Sequence, residues 1–292
     1  MSAASLHVAL TFDDNYWAPA FAVMRSTCLA TRRPADLTFH LIHIGLMPAH
    51  RAEFDAIAAE FPATIRHIDL AAEPAYRELI ADLPIGRPFT PVIYARLLLD
   101  RLLPQDIERV LYLDSDTFVR APVEDLLGLD LEGKAIGAVL DPHRHIHMFR
   151  RDLKSNREVY GYNFSYFNSG VLLIDREAFA AADLPNVARR MQRSGELEKL
   201  QYDQALLNLA FKDNWLPLDF RWNLIGPEPA HEVLEPFILH YTGPRKPWTP
   251  LPGAAFGRIY RHVMTNRNFD AFQRQRLRQA LRRPFARLFG KP

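Results

Sequence analysis

Asp114 and Asp116 are the residues in this chain whose type and spacing most directly suggest chemistry. They close an apolar, strand-forming run, Val110-Leu111-Tyr112-Leu113-Asp114-Ser115-Asp116-Thr117. In α/β proteins, ligands bind beyond the carboxyl ends of strands. Two carboxylates there can hold a hard divalent cation such as Mg²⁺ or Mn²⁺. On an extended segment, side chains two apart face the same side, so both carboxylates are expected on one face. A plain turn would also place Asp and Ser here, and Asp-x-Asp alone is a weak signal.

A second polar group ends a later apolar run. Phe237-Ile238-Leu239-His240 is expected to be a strand, followed by Tyr241-Thr242-Gly243-Pro244-Arg245-Lys246-Pro247-Trp248. A lone histidine at a strand end is usually structural. Followed by Gly243, which allows close backbone approach, and the point charge of Lys246, it suits a metal-bound phosphate. Asp203 and Gln204 fall in the first turn of an expected helix, where the helix dipole alone would favour a carboxylate. His143, His145 and His147 alternate and could bind metal on a strand, although the charged, weakly periodic segment around them reads better as a polar loop. No Gly-x-Gly-x-x-Gly follows the first strand and no P-loop occurs anywhere, so a bound nucleotide would lack a glycine cradle.

The elements that must position these groups follow in order. Strands are expected over Leu6–Phe12, Leu37–Ile44 and Thr64–Ile68, with helices over Trp17–Leu29 and Pro48–Phe61 between them. This βαβαβ order implies a parallel sheet with right-handed crossovers. Thr90 is a plausible cap for a helix over Pro91–Leu103, which carries Arg96. Further strands are expected over Ala135–Leu140, ending at Asp141, and over Val171–Ile174, preceded by Tyr166-Phe167-Asn168-Ser169-Gly170. Helices are expected over Asn186–Gln192 and Tyr202–Phe211. Strand and turn are expected over Trp215–Trp222.

With 292 residues, 48% of them hydrophobic, the chain can bury a sizeable core, and a net charge of +2 is ordinary for a globular enzyme. Cys28 is the single cysteine, which excludes an intrachain disulfide and fits a reducing cytoplasm. No apolar run reaches membrane-spanning length, and Met1–Ser5 does not read as a signal peptide. Composition shifts near residue 258. From there on, ten residues are Arg or Lys against one acid, Asp270. Phe269, Phe272, Leu277, Leu281, Phe285, Leu288 and Phe289 recur at roughly helical spacing. We therefore expect residues 1–257 to form one domain and residues 258–292 a basic amphipathic tail. Such a tail suits an anionic membrane surface. The competing expectation is a helix packed on the domain by its apolar face. A nucleic-acid partner is not expected, because phosphate contact needs only charge and no apolar stripe.

Six motifs in sequence order resemble glycosyltransferase family 8, the retaining transferases of the type-A nucleotide-sugar fold. These are Thr11-Phe12-Asp13-Asp14-Asn15-Tyr16, Tyr94-Ala95-Arg96-Leu97, Leu111-Tyr112-Leu113-Asp114-Ser115-Asp116, Tyr166-Phe167-Asn168-Ser169-Gly170-Val171, Gln201-Tyr202-Asp203-Gln204, and His240-Tyr241-Thr242-Gly243-Pro244-Arg245-Lys246-Pro247-Trp248. The likeness is strongest to the bacterial lipopolysaccharide galactosyl- and glucosyltransferases. It implies an α/β fold: a Rossmann-like, mixed, mainly parallel central sheet flanked by helices, here with the basic C-terminal helical extension. It implies that Asp114, Asp116 and His240 ligate Mn²⁺ (or Mg²⁺). By the same likeness, Gly243 and Lys246 would contact phosphate, and Asp13, Asn15, Thr11 and Ser115 the uridine of a UDP-hexose donor. Arg96, Asn168, Asp203, Gln204 and Asp141 would hold the donor sugar. The implied partners are a UDP-sugar and a glycan or lipid-linked saccharide acceptor, at the cytoplasmic face of a membrane. The segment from Asp141 to Tyr162 has no counterpart beyond Asp141.

The family retains the donor's anomeric configuration. Gln204 stands where a nucleophile would be expected, yet a neutral amide oxygen is a poor one. A front-face route, in which the departing phosphate takes the acceptor's proton, needs no protein nucleophile. Two other readings compete: a haloacid-dehalogenase-like Mg²⁺-dependent phosphatase, which also places Asp-x-Asp after a strand, and a non-catalytic module binding a sugar nucleotide or a membrane surface. A self-glucosylating enzyme would share the fold.

Overall fold

The computed structural model describes residues 5–81, 83, 90–143, 164–199, 202–212, 214–249 and 254–289. His145, His147 and Gln201 lie outside these residues.

Seven strands form the central sheet: β1 Leu6–Asp13, β2 Leu37–Ile44, β3 Thr64–Asp69, β4 Arg109–Asp114, β6 Ile136–Leu140, β7 Phe167–Asp175 and β8 Trp215–Pro217, in the order β3-β2-β1-β4-β7-β6-β8. Only β7 runs against its neighbours. A sheet covered on both faces draws apolar residues at every position. Accordingly Val110, Leu111, Tyr112 and Leu113 of β4 are all fully buried. Period two then sorts them into two cores. Val8, Leu10, Leu111, Leu113, Val171 and Leu173 face one, and Ala9, Val110, Tyr112, Leu172 and Ile174 face the other. The helix Trp17–Ala30 has eleven buried residues, and its buried apolar side chains other than Pro19 all belong to the first core. Cys28 is buried on it, and that burial pushes its thiol up to about 12, so it acts as a core side chain.

The expected helix over Pro91–Leu103 is instead a 3₁₀ segment, Pro91–Leu98, followed by one α-turn, Leu99–Leu102. Pro91 starts it as expected, but Thr90 makes no side-chain cap bond. The expected helix over Pro48–Phe61 is broken at Ala56 into Pro48–Asp55 and Ile57–Glu60.

A second sheet of three strands, β5 Thr117–Val119, β10 Ile238–His240 and β9 Leu224–Ile225, runs in the order β5-β10-β9. It matters for what it juxtaposes. The antiparallel pairing of β10 with β5 sets His240 opposite Thr117, one residue beyond Asp116. In the main sheet, Thr11 lies opposite Asp114. Because β2 follows β1 on one side while β4 flanks it on the other, the ends of β1 and β4 open on a topological switch point, the usual place for a crevice.

Packing does not stop at residue 257. Tyr260, Val263 and Met264 of the helix Gly257–Met264, and Phe269 and Phe272 of the helix Asn266–Phe289, belong to the same core as β1 and Trp17–Ala30. Beyond Phe272 the apolar spacing points outward: Leu277 is 61% and Leu281 62% exposed. The apolar residues of the basic tail are thus divided, the earlier ones docked and these two leucines in solvent. Among the described residues no helix is long and apolar enough to cross a membrane.

Candidate active site

Asp114 is the last residue of β4, and Ser115 and Asp116 form a turn before β5. Thr117 Oγ1 closes the turn on the Asp114 carbonyl at 2.8 Å. The two carboxylates are therefore brought together by a turn and not by the period of a single extended strand, which corrects the sequence expectation. Both reach His240: its Nε2 is 3.1 Å from Asp116 Oδ1 and 3.8 Å from Asp114 Oδ2. One ligand atom from each of the three residues falls within 4.8 Å of the others, the only such cluster among the described residues. Two carboxylates and one imidazole suit a divalent ion such as Mn²⁺, which takes oxygen and nitrogen donors together, better than the harder Mg²⁺, which favours oxygen alone.

The tautomer of His240 follows from a chain of bonds that starts at the backbone. The Gly170 amide donates to Asn168 Oδ1 at 3.0 Å, which fixes that amide's orientation. Asn223 Nδ2 donates to the same oxygen at 2.9 Å, so Asn223 Oδ1 faces His240 Nδ1 at 2.9 Å. Nδ1 must carry the proton, and Nε2 is aimed at the two carboxylates. A partner on the remote nitrogen is the usual way a ligating imidazole is oriented. Asn223 and Asn168 are 1% and 6% exposed, so their bonds are made away from water.

Lys246 Nζ lies 2.6 Å from Asp116 Oδ2 and also donates to the Tyr241 carbonyl. Burial would push the Asp116 carboxyl up, but His240 and Lys246 together hold it well below the usual carboxylate range. It stays ionised, the form in which a carboxylate could ligate a metal. Gly243 has φ of +74°, a left-handed conformation that explains glycine at the bend between His240 and Lys246.

Arg96 is buried and ties the corner of Asp114, Asp116 and His240 to the far side of the crevice. It donates to Asp114 Oδ1 at 2.8 Å, pairs with Asp203 Oδ2 at 2.9 Å, and reaches the Ser169 carbonyl at 3.1 Å and hydroxyl at 3.2 Å. Its guanidinium also sits 4.8 Å from the centre of the Tyr112 ring. Burial opposes its charge, but Asp114 and Asp203 outweigh that and raise its affinity for the proton further. Burial raises the Asp203 carboxyl despite Arg96 beside it.

Gln204, Asn168 and Asp141 meet at the C-terminal end of β6. Gln204 Oε1 accepts from the Ser169 amide at 3.2 Å and from Asn168 Nδ2 at 3.2 Å, and Gln204 Nε2 donates to Asp141 Oδ2 at 3.2 Å. Two features make this possible. The β6–β7 register shifts between Ala138, opposite Leu172, and Val139, opposite Asn168, so that residues 169–171 are left out of the ladder with β6. Asn208, four residues beyond Gln204, bonds both the amide and the carbonyl of Phe167 and pins the helix Tyr202–Ala210 to β7.

At the other end of the crevice, Thr11 Oγ1 and Tyr112 Oη are 2.8 Å apart, Tyr112 donates to Asp114 Oδ1 at 2.8 Å, and Ser115 Oγ donates to the Thr11 carbonyl at 3.2 Å. Asp13 caps the short turn Asp14–Tyr16 by accepting from the Asn15 amide at 2.9 Å.

The fourteen residues to which the family resemblance gives a role all lie in described structure, and the crevice gathers Arg96, Asp114, Asp116, Asp141, Asn168, Asp203, Gln204, His240 and Lys246 into one bonded network. Four contributors were not singled out from sequence. Tyr112 and Ser169 lie inside quoted motifs. Asn208 carried a faint signal, a polar residue in the run Ala205-Leu206-Leu207-Asn208-Leu209. Asn223 carried none. Of the three alternating histidines only His143 is described, and its amide donates to Asp141 Oδ1 at 2.8 Å.

A family model for glycosyl transferase family 8 matches residues 7–251. Glycosyltransferase GlyF of Streptococcus pneumoniae serotype 4 is 28% identical over 256 residues, covering 82% of this chain; the chain spans only 56% of that protein's length. General stress protein A of Bacillus subtilis is 23% identical over 278 residues, covering 89% of this chain and 93% of that protein. Among solved structures, a crystal structure of the galactosyltransferase LgtC in complex with donor and acceptor sugar analogs superposes with a TM-score of 0.71 at 27% identity, over 89% of this chain and 95% of that one. The fold is thus that of the type-A glycosyltransferases.

Proposed function

The chain belongs to glycosyl transferase family 8, and from that premise we propose that it is a retaining hexosyltransferase. It moves galactose or glucose from a UDP-sugar to a glycan, lipopolysaccharide or another lipid-linked saccharide. The observation that carries this reading is the convergence of Asp114, Asp116 and His240 beside Lys246, joined through Arg96 to a buried polar pocket. Family membership displaces the phosphatase reading.

Asp114, Asp116 and His240 would hold Mn²⁺ or Mg²⁺, which supplies charge neutralisation for a departing diphosphate. Lys246 adds a second positive charge to the leaving group, at the bend that Gly243 allows. Asp13, Asn15, Thr11 and Ser115 bind the uridine end. Arg96, Asp203, Asn168, Asp141 and Gln204 surround the hexose. Gln204 is already engaged at its oxygen by the Ser169 amide and Asn168, which lowers its capacity to attack a sugar carbon. The front-face route fits this arrangement. The bond from the anomeric carbon to phosphate breaks, the acceptor oxygen bonds to the same face, and the acceptor's proton passes to the released phosphate oxygen. The protein's contribution is then mainly electrostatic, through preorganised charges and dipoles around an oxocarbenium-like sugar.

The exposed Leu277 and Leu281, interleaved with exposed Arg274 and Arg278, support placing the outer face of the tail helix on an anionic membrane at its cytoplasmic side. Binding to vesicles of anionic against neutral lipid tests that placement. The donor reading is tested by incubating the protein with a panel of UDP-sugars, with Mn²⁺ or chelator, and following UDP release. Mn²⁺-dependent release from one UDP-hexose supports it. No release and no UDP binding would leave the non-catalytic module as the better reading.

A further inference from the structure

The helix Asn266–Phe289 does more than cover the core: two glutamines on it grip the turn that our reading assigns to the nucleoside. Gln275 and Gln279 are four residues apart and share one helical face with Phe272, which is buried. Gln275 Nε2 donates to the Asp14 carbonyl at 3.2 Å and to the Asp14 carboxylate at 3.1 Å, while its oxygen accepts from the Trp17 indole at 2.6 Å. Gln279 Nε2 donates to Asn15 Oδ1 at 2.8 Å.

The turn is also held from the opposite side. The Asp14 carboxylate accepts from the Met47 amide at 2.9 Å and lies 2.6 Å from His50 Nδ1. The His50 ring stacks on Trp17 with centroids 4.3 Å apart. Asp14 is thus clamped between the loop after β2 and the C-terminal helix, and Asp13 and Asn15 flank it.

We propose that Gln275 and Gln279 are positioning residues for the nucleoside end of the donor site. Gln275 fixes the Asp13–Asn15 backbone by engaging both the carbonyl and the side chain of Asp14. Gln279 occupies Asn15 Oδ1, which leaves the side-chain Nδ2 of Asn15, without a partner among the described residues, as the group to face a ligand. Asn15 is thereby presented as a hydrogen-bond donor, suited to a carbonyl or hydroxyl oxygen of a nucleoside. Prior ordering of these groups is worth affinity, because binding then loses less side-chain and loop entropy. The same helix carries Leu277 and Leu281 on its outer face, so one rigid element joins the exposed apolar stripe to the nucleoside turn.

This inference rests on the UDP-sugar reading, and the experiment separates the two. UDP affinity in the presence of Mn²⁺ would be measured calorimetrically for the full chain and for Gln275→Ala, Gln279→Ala and Asp14→Asn, together with KM and kcat for the UDP-hexose turned over. Each glutamine variant is expected to weaken UDP binding about fivefold, the usual value of one lost hydrogen bond, and to raise KM alike. kcat should stay within about twofold of wild type. Gln275→Ala combined with Asp14→Asn should lose less than the sum of the two single losses, because the bond between the two side chains is counted in both. A fall in kcat with unchanged UDP affinity, or a lowered melting temperature with unchanged affinity, overturns the proposal and leaves the donor reading standing. Absence of UDP binding by the wild type overturns both.

Discussion

A side chain at residue 170 would occupy space that His240 fills: a Cβ built on Gly170 would lie 2.1 Å from His240 Cε1 and 2.9 Å from Asp114 Oδ2. Glycine here serves close approach across β7. Gly170→Ala should therefore displace the imidazole and Asp114 together. Overpacking of this kind costs about 1–3 kcal/mol. We expect a lower melting temperature and a loss of Mn²⁺ affinity of at least about tenfold, read by titrating the metal. Wild-type Mn²⁺ affinity in this variant would show that His240 is not held where the metal binds.

Asn223 sets the protonated nitrogen of His240 without touching the carboxylates. Asn223→Ala should weaken Mn²⁺ by about 10–100-fold, as loss of an outer partner of a ligating histidine does. Asn223→Asp keeps an acceptor for Nδ1 and should retain more of the affinity. If both variants bind metal as the wild type does, the tautomer assignment is wrong.

The environment of Gln204 argues against a covalent intermediate on it. Gln204→Ala should leave measurable turnover, whereas Asp116→Ala should abolish it. Equal loss in both, with a sugar adduct detected on the protein by intact mass, would overturn the front-face route.

Two further histidines make stability depend on pH. His40 lies 3.2 Å from His7 and His43 lies 3.4 Å from His67, and neither Nδ1 of the β2 pair has a partner among the described residues. Burial lowers both to about 4. The neighbouring His7 and Arg66 add to the effect at His40 and are opposed by Asp106; His67 and Arg51 add to it at His43 and are opposed by Asp69. The folded state binds these protons less readily than the unfolded chain, whose value is 6.5. Stability is therefore whole above about pH 6.5 and is lost as pH falls towards 4. Each ring should cost on the order of 2 kcal/mol between pH 8 and pH 5. Urea unfolding at the two values measures it, and equal midpoints would show that neither ring is held neutral.

The strands that build the crevice are legible because a parallel sheet covered on both faces draws mainly apolar runs, which β4 and β6 supply almost without interruption and β1 and β2 with a few polar residues among them. The charged groups at their ends were legible for the same reason, since polarity that interrupts such a run is conspicuous. Gly243 and Lys246 could be marked only because they follow so closely on a histidine that ends a strand. The helix expected over Pro91–Leu103 was less legible. Its composition suits an α-helix, but the segment is wound as 3₁₀ where Arg96 reaches down to Asp114, Asp203 and Ser169.

What the chain's order could not contain is contact between residues far apart in it. Strand period alone would set Asp114 and Asp116 on one face; they converge on His240 because a turn and the β5–β10 pairing bring them there. Asn223 orients His240 only because β9 lies beside β10, and no local pattern marks an asparagine for that task. Nothing local marks Gln275 and Gln279; packing of Phe269 and Phe272 lays them against Asp14 and Asn15. Period and composition are local properties and decide which residues can sit at a strand end or a helix face. Hydrogen-bond partners separated by tens or hundreds of residues are selected by register and packing, and only the tertiary structure decides those.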